Sequence, residues 1–335
     1  MRTSRSQSTA RRLDPISDRR VEVFSLPMRV RFRGVDRREG VLVWGDAGVG
    51  EFSPFEDYDD DESASWLAAA LEAADAELPA PVRLSVAVNC TVPAVDPATA
   101  VAVVRAGHGC HTAKVKVAEP GQTLDDDIAR VAAVRDALGR TGRVRVDANG
   151  GWSVERAVEA IARLAEFDLE YVEQPVATVE GLAQVRRRVA VPIAADESIR
   201  RSSDPMRVLL LEAADVAVLK VQPLGGVRAC LDLADELSIP VVVSSALESS
   251  VGIAAGVALA AALPDLPYDC GLATASMLTG DLTSTPMTPV DGRLAVRRVG
   301  PDEELVAAAR PDDGTVRHWL DRLSRCHDVL LERNR

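Results

Sequence analysis

Six charged residues are spaced as a single reactive centre would require: Lys114 and Lys116, then Asp147, Glu173, Asp196 and Lys220. In the run 111–117, side chains of an extended chain alternate between faces. Val115 and Val117 therefore share one face, and Lys114 and Lys116 share the other. The run 144–149 repeats the scheme, with Val144 and Val146 on one face and Asp147 opposite. Glu173, Asp196 and Lys220 hold the equivalent end positions in 171–175, 193–198 and 216–220, the last after two inward valines. Turn residues follow each of these ends: Asn149-Gly150-Gly151, Pro175, Ser198, and Pro223 with Gly225-Gly226. The steps are 31 (116 to 147), 26 (147 to 173), 23 (173 to 196) and 24 (196 to 220), one strand each. One strand-end carboxylate is most often a helix cap or a solvated charge. Five consecutive strands that each end in an inward charge need another explanation.

Three converging carboxylates without histidine or cysteine are hard oxygen donors, better suited to Mg²⁺ than to zinc. The four histidines, His108, His111, His318 and His327, fall on no predicted strand end, which argues against a histidine-based zinc hydrolase. Lys116 and Lys220 would flank such an ion from opposite sides. A lysine acts as a base only when neutral, and a second ammonium at Lys114 together with the cation would depress its pKa. The combination suits proton abstraction next to a carboxylate, with Mg²⁺ holding the enediolate charge.

The elements that must position these groups are legible as a repeat. From about residue 83 to 282, short β-branched runs alternate with Ala/Leu/Arg helices. Predicted strands end near Asn89, Val117, Asn149, Glu173, Glu197, Val221, Ser245 and Cys270. Helices are predicted over 124–138, 153–166, 179–189 and 227–237. Such alternation indicates parallel βαβ units. Eight units in about 200 residues favour a closed barrel over an open doubly wound sheet, with the charged ends on the face where barrels build their sites. Ahead of it the chain reads as strands over 21–26, 40–44 and 50–52, an acidic cluster over 56–62 and a helix over 65–76. Behind it come a strand over 293–296 and a helix over 315–333, placed to return onto the N-terminal segment.

The whole sequence is consistent with an ordinary globular enzyme. Its 335 residues are 47% hydrophobic and 27% charged, enough to bury a sizeable core. A net charge of -12 makes a poor partner for nucleic acid or an anionic membrane. No apolar run approaches the roughly 20 residues of a spanning helix. The cysteines, Cys90, Cys110, Cys230, Cys270 and Cys326, are odd in number and scattered, so buried thiols in a reducing cytoplasm are expected. The first twenty residues carry six arginines and no apolar segment, which reads as a disordered basic tail, not a signal peptide.

The order Lys-x-Lys, Asp, Glu, Asp, Lys on successive strands resembles the enolase superfamily in its muconate-lactonizing subgroup. Over nearly the whole chain after residue 20, the resemblance implies a modified (β/α)₇β TIM barrel, residues 83–285, under an α+β capping domain. That cap would combine residues 21–82 with 286–335. The lack of a His-Asp pair argues against the mandelate-racemase subgroup. Three segments are similar to the o-succinylbenzoate synthase family in its actinobacterial form: 26–34, 50–58 with Phe55 and Tyr58, and 244–250 with Ser244 and Ser245.

That resemblance implies a Mg²⁺-dependent syn dehydration of 2-succinyl-6-hydroxy-2,4-cyclohexadiene-1-carboxylate to 2-succinylbenzoate in menaquinone biosynthesis, with Mn²⁺ as a substitute. Lys116 would remove the α-proton and protonate the departing hydroxyl. Lys220 would stabilise the dienolate from the opposite face. Asp147, Glu173 and Asp196 would hold the metal. Lys114, Asn149, Ser244, Ser245, Phe55 and Tyr58 would contact the substrate, a small carboxylate. Neither nucleic acid nor membrane is an expected partner, and a monomer is the preferred state. The rival readings are an N-acylamino acid racemase, a muconate cycloisomerase and a non-catalytic ligand-binding barrel. Pro223 stands where racemases commonly carry arginine, and Asp269-Cys270-Gly271 departs from the Asp-x-Asp of dipeptide epimerases.

Overall fold

A computed structural model of the chain describes residues 16–32, 34–201, 205–333 and 335. Three antiparallel strands come first, β1 (Val21–Phe32), β2 (Val35–Trp44) and β3 (Val49–Phe52), followed by helix α1 (Asp60–Asp75). Strand β3 and α1 lie so close that a Cβ on Gly50 would overlap the Ala70 carbonyl. Both β1 and β2 are longer than predicted. Pro27 and the charged run Arg37-Arg38-Glu39 break the hydrophobic alternation, yet 21–27 pair with 37–43 without interruption.

Helix α1 begins five residues before its predicted start. The Asp59 carboxylate accepts from the Glu62 amide at 2.8 Å, and three acidic residues occupy the first turn. Negative charge there satisfies free N–H groups and opposes the helix dipole. Half of the acidic cluster expected as loop is thus the start of the helix.

The parallel sheet runs through β5 (Cys90–Val92), β6 (Thr112–Lys116), β7 (Arg143–Asp147), β8 (Leu169–Glu173), β9 (Ile193–Ala195), β10 (Val216–Leu219) and β11 (Val241–Val243), each beside its predecessor. Short strand β4 (Ser85–Ala87) precedes it and pairs with β12 (Arg293–Ala295). Parallel bridges Val88↔Cys270 and Ser244↔Gly271 join the two edges through the eighth segment, closing the barrel. The first barrel strand runs on to Val92, past its predicted end at Asn89, which puts Thr91 on the site face.

Helices α2 (Pro97–Arg105), α3 (Leu124–Leu138), α4 (Val154–Leu164), α5 (Val179–Arg186), the short α6 (Glu197–Arg200) and α7 (Arg207–Leu210), α8 (Val227–Glu236) and α9 (Ser250–Ala262) follow the strands in turn. Two cores result, as the alternation requires. Val115, Val144, Val146 and Leu219 belong to the large outer core, while Tyr171, Ala194, Val216, Val218 and Val242 pack together inside the barrel.

The chain ends with α10 (Glu303–Ala308) and α11 (Asp313–Arg333), and α11 returns to pack on α1. Arg322 of α11 donates to the carbonyls of Phe55 and Tyr58 at 2.8 and 2.7 Å. The basic tail expected over 1–20 lies outside the described residues as far as residue 15. Beyond it, Arg19 pairs with Asp75 at 2.7 Å and Arg20 with Glu303 at 2.5 Å. Among the described residues no helix is long and apolar enough to cross a membrane.

Candidate active site

Strand register brings the charged ends together. Lys116 pairs with Asp147 across β6 and β7, and Asp147 with Glu173 across β7 and β8. Glu173 pairs with Ala194, two residues before Asp196. All six groups are at least nine-tenths buried: Lys114, Lys116, Asp147, Glu173, Asp196 and Lys220. Burying this many charges is tolerable only if they are paired. Lys116 Nζ donates to Asp147 Oδ2 and to Asn149 Oδ1, each at 2.5 Å. Lys114 Nζ donates to both oxygens of Glu173, at 2.7 and 2.9 Å. Lys220 Nζ donates to Asp196 Oδ2 at 2.7 Å.

The environment sets the protonation of each group. Burial alone would raise the Asp147 carboxyl, but Lys116 and Lys114 hold it well below the usual range. Burial and the neighbouring Asp147 charge push Glu173 up to about 7. Burial, and then the Glu197 charge, raise Asp196 as well. Lys114 is raised, because Glu173 and Asp147 outweigh its burial. Lys220 is lowered, chiefly by burial, with help from the charges of Arg200 and Lys114.

A second layer of contacts holds these groups, and sequence reasoning did not find it. Arg200 Nε donates to the other oxygen of Asp196 at 2.8 Å, and its Nη2 to Glu197 at 2.5 Å. Asn149 Nδ2 also donates to Glu197, at 3.1 Å, so one chain of contacts links Lys116 to Lys220. Gln174 is fully buried at φ 38°, and its Oε1 accepts from the amides of Asp196 and Ser198 at 3.0 and 3.1 Å. A non-glycine residue in that region stores strain unless such contacts fix it.

Lys114, Lys116, Asp147, Asn149, Lys220, Ser244, Ser245 and Phe55 line one small cavity with Phe32, Thr91, Leu247 and Thr274. Glu173 and Asp196 sit behind the lysines. Tyr58, expected as a substrate contact, does not line the cavity. Its ring is buried, packed on Phe55 and Trp66 with Arg201 over its face at 4.4 Å. Phe32 lies 5.1 Å from Lys116 Nζ. Ser245 and Thr274 share a hydrogen bond of 2.6 Å. Thr91 could have been found from Cys90-Thr91-Val92 running into Pro93, the same strand-and-turn signal as elsewhere. A larger, mostly apolar groove of about 770 Å³ runs between α2 and residues 275–288. It meets the site only at Thr91, and none of the paired lysines and carboxylates lines it.

Among the described residues, no three His, Cys, Asp or Glu side chains stand grouped as an ion site, and each of the three carboxylates is met by a lysine. The donor chemistry nevertheless suits a hard divalent cation. Asp147, Glu173 and Asp196 are buried on adjacent strand ends, where the Asp147 charge adds to burial in raising Glu173 and, after Glu197, Asp196.

Residues 96–301 match the enolase C-terminal domain-like family, and residues 23–74 match the enolase N-terminal domain-like family. The chain is 61% identical over 301 residues to an o-succinylbenzoate synthase of Thermobifida fusca, covering 90% of this chain and 94% of that one. It is 54% identical over 319 residues to an o-succinylbenzoate synthase of Mycolicibacterium smegmatis, covering 95% and 98%. The fold is similar to a muconate lactonizing enzyme from Pseudomonas fluorescens, with a TM-score of 0.76 and 24% identity over 88% of this chain and 98% of that one. It is also similar to an L-Ala-D/L-Glu epimerase from Bacillus subtilis, with a TM-score of 0.71 and 22% identity over 84% and 96%. Enzymes of the enolase superfamily generally use a divalent metal. The chain belongs to the enolase superfamily and, within it, to the o-succinylbenzoate synthase family.

Proposed function

We propose that this chain dehydrates 2-succinyl-6-hydroxy-2,4-cyclohexadiene-1-carboxylate to 2-succinylbenzoate, as a lyase of menaquinone biosynthesis. The observation that carries this reading is the pair Lys116 and Lys220, lining one cavity and each bound to a different strand-end carboxylate. The high identity to o-succinylbenzoate synthases supports the choice of substrate over the racemase and cycloisomerase alternatives. The division into a cap of residues 21–82 with 286–335 and a barrel of 83–285 belongs to the same proposal. Action in the cytoplasm is supported by five cysteines that are all free and buried.

In the mechanism, Lys116 takes the proton from the ring carbon that bears the carboxylate. It then returns that proton to the departing hydroxyl on the same face, and water leaves. The electron pair of the broken C–H bond becomes the last ring double bond, the C–O pair leaves with the oxygen as water, and the ring becomes aromatic. Lys220, as the opposing ammonium, steadies the negative charge that accumulates between the two events. Asn149 orients Lys116 through its 2.5 Å contact, and Phe32, Phe55 and Leu247 keep bulk water from the ring. Asp147, Glu173 and Asp196 would hold Mg²⁺, which supplies Lewis-acid stabilisation of the substrate carboxylate when bound.

The deciding experiment incubates the enzyme and Mg²⁺ with the cyclohexadiene acid and follows 2-succinylbenzoate formation. A parallel incubation with N-succinyl amino acids in D₂O follows α-deuteration. Deuteration without ring dehydration would replace the synthase reading by the racemase one.

A further inference from the structure

Arg38 belongs to the cap, yet its side chain reaches across to the barrel. It is only 3% exposed on β2. Its Nη2 donates to the Ser53 carbonyl at 2.5 Å and to the Ala246 carbonyl at 3.3 Å. Its Nε donates to the Leu247 carbonyl at 3.2 Å. The guanidinium also lies 4.3 Å over the Phe55 ring. Phe55, Ala246 and Leu247 all line the cavity, Phe55 from the cap and the other two from the segment after β11. One planar fork therefore joins opposite walls of the site.

The barrel wall needs such a contact. Leu247 stands at φ 66°, a left-handed conformation that costs a residue with a Cβ about 1–2 kcal/mol. Backbone so strained persists when surrounding bonds over-determine it, and the Arg38 bond to its carbonyl is one of these. Both walls line a cavity with only about 30 Å³ of free space, so their placement sets the room left for a ring.

We propose that Arg38 is a positioning residue that couples the Ser53–Phe55 wall to the Ala246–Leu247 wall, so that both close on the substrate as one piece. The statement about substrate rests on the proposed reaction, whereas the coupling of the two walls does not. Arg38 touches neither Lys116 nor Lys220, so it acts on binding and alignment and not on proton transfer. Lysine cannot replace it. An ammonium keeps the charge facing the buried Glu51 and Glu248 but lacks the fork that reaches three carbonyls.

The test compares the native chain with Arg38→Met and Arg38→Lys by steady-state kinetics and amide hydrogen exchange. Misplacing a wall by an ångström is expected to lower kcat/KM about 100-fold. Most of that loss should fall on KM, and Arg38→Lys, which keeps the charge facing Glu51 and Glu248, should remain impaired. Exchange should rise together in residues 53–58 and 244–249, without substrate present. A folded variant with native KM overturns the proposal, as does an exchange increase confined to one segment. If Arg38→Met does not fold, Arg38→Lys decides by the same two readouts. A native chain inactive on the cyclohexadiene acid, yet showing the paired exchange change in the variants, sinks the reaction and leaves the coupling standing.

Discussion

Glu51 Oε2 accepts a hydrogen bond of 2.5 Å from the Ser249 hydroxyl, so a carboxylate of the cap seats on the residue that caps barrel helix α9. The Gly252 amide, one turn in, donates to the same oxygen at 3.2 Å. Burial still dominates and pushes Glu51 up to about 7. The folded chain therefore holds a proton that the unfolded chain releases near 4.5. The stability this proton contributes is complete below 4.5 and is lost as pH rises through about 7. The size is about 3 kcal/mol at 1.36 kcal/mol per pH unit. Urea unfolding at pH 5 and pH 8 should show the native chain losing about 2.5 kcal/mol relative to Glu51→Gln, which carries no titrating group there. Parallel pH dependence in the two proteins would refute it.

Removal of either central lysine separates chemistry from folding. Lys116→Ala is expected to lower kcat by about 10²–10⁴-fold, the usual worth of a general acid–base group. Lys220→Met should lose activity too, and it leaves Asp196 with Arg200 as its remaining close cation in the site. A Lys116→Ala enzyme with full dehydration activity would end the assignment of the base.

Metal dependence can be read without turnover. Mg²⁺ at about 100 times its Kd should stabilise the fold by about 2.7 kcal/mol. Thermal midpoints measured after chelation and after Mg²⁺ or Mn²⁺ addition check this. The shift should vanish in Asp147→Asn, because a carboxamide is a neutral and weaker donor. An unchanged shift in that variant removes Asp147 from the ligand set.

The Asp59 cap offers a control remote from the chemistry. Asp59→Ala removes the acceptor for the Glu62 amide and should cost about 1 kcal/mol. Its kinetics should stay native, because the substitution leaves the Arg322 bonds to Phe55 and Tyr58 in place.

The barrel and its charged ends were legible because strand alternation has a period of two and each end is followed by turn residues. Lys114 and Lys116 could share a face only one way, and the same logic placed Asp147 beside them. Local pattern also located α3, where Thr123 and Asp126 cap reciprocally. It was misleading where composition has two uses. The acidic run near Asp60 reads as a solvated loop, and becomes helix only because Asp59 satisfies a free amide. Arg38, Arg200 and Arg322 could not be found this way. Nothing adjacent to Arg38 in the sequence indicates that it meets a carbonyl 209 residues later. Tyr58 is held away from the cavity for a related reason: Trp66 packs edge-on against its ring and Arg201 lies over it, contacts distant in the sequence.

The grip of Arg322 on the Phe55 and Tyr58 carbonyls spans 267 and 264 residues. During synthesis on the ribosome the barrel strands emerge, and can pair, well before that arginine is added. Contacts of such long sequence separation form late. The Phe55–Tyr58 segment beside the site lysines is therefore held by these two bonds only once α11 is in place. A fusion or truncation that perturbs α11 would loosen the Phe55–Tyr58 segment, although the helix contributes no residue to the pocket wall.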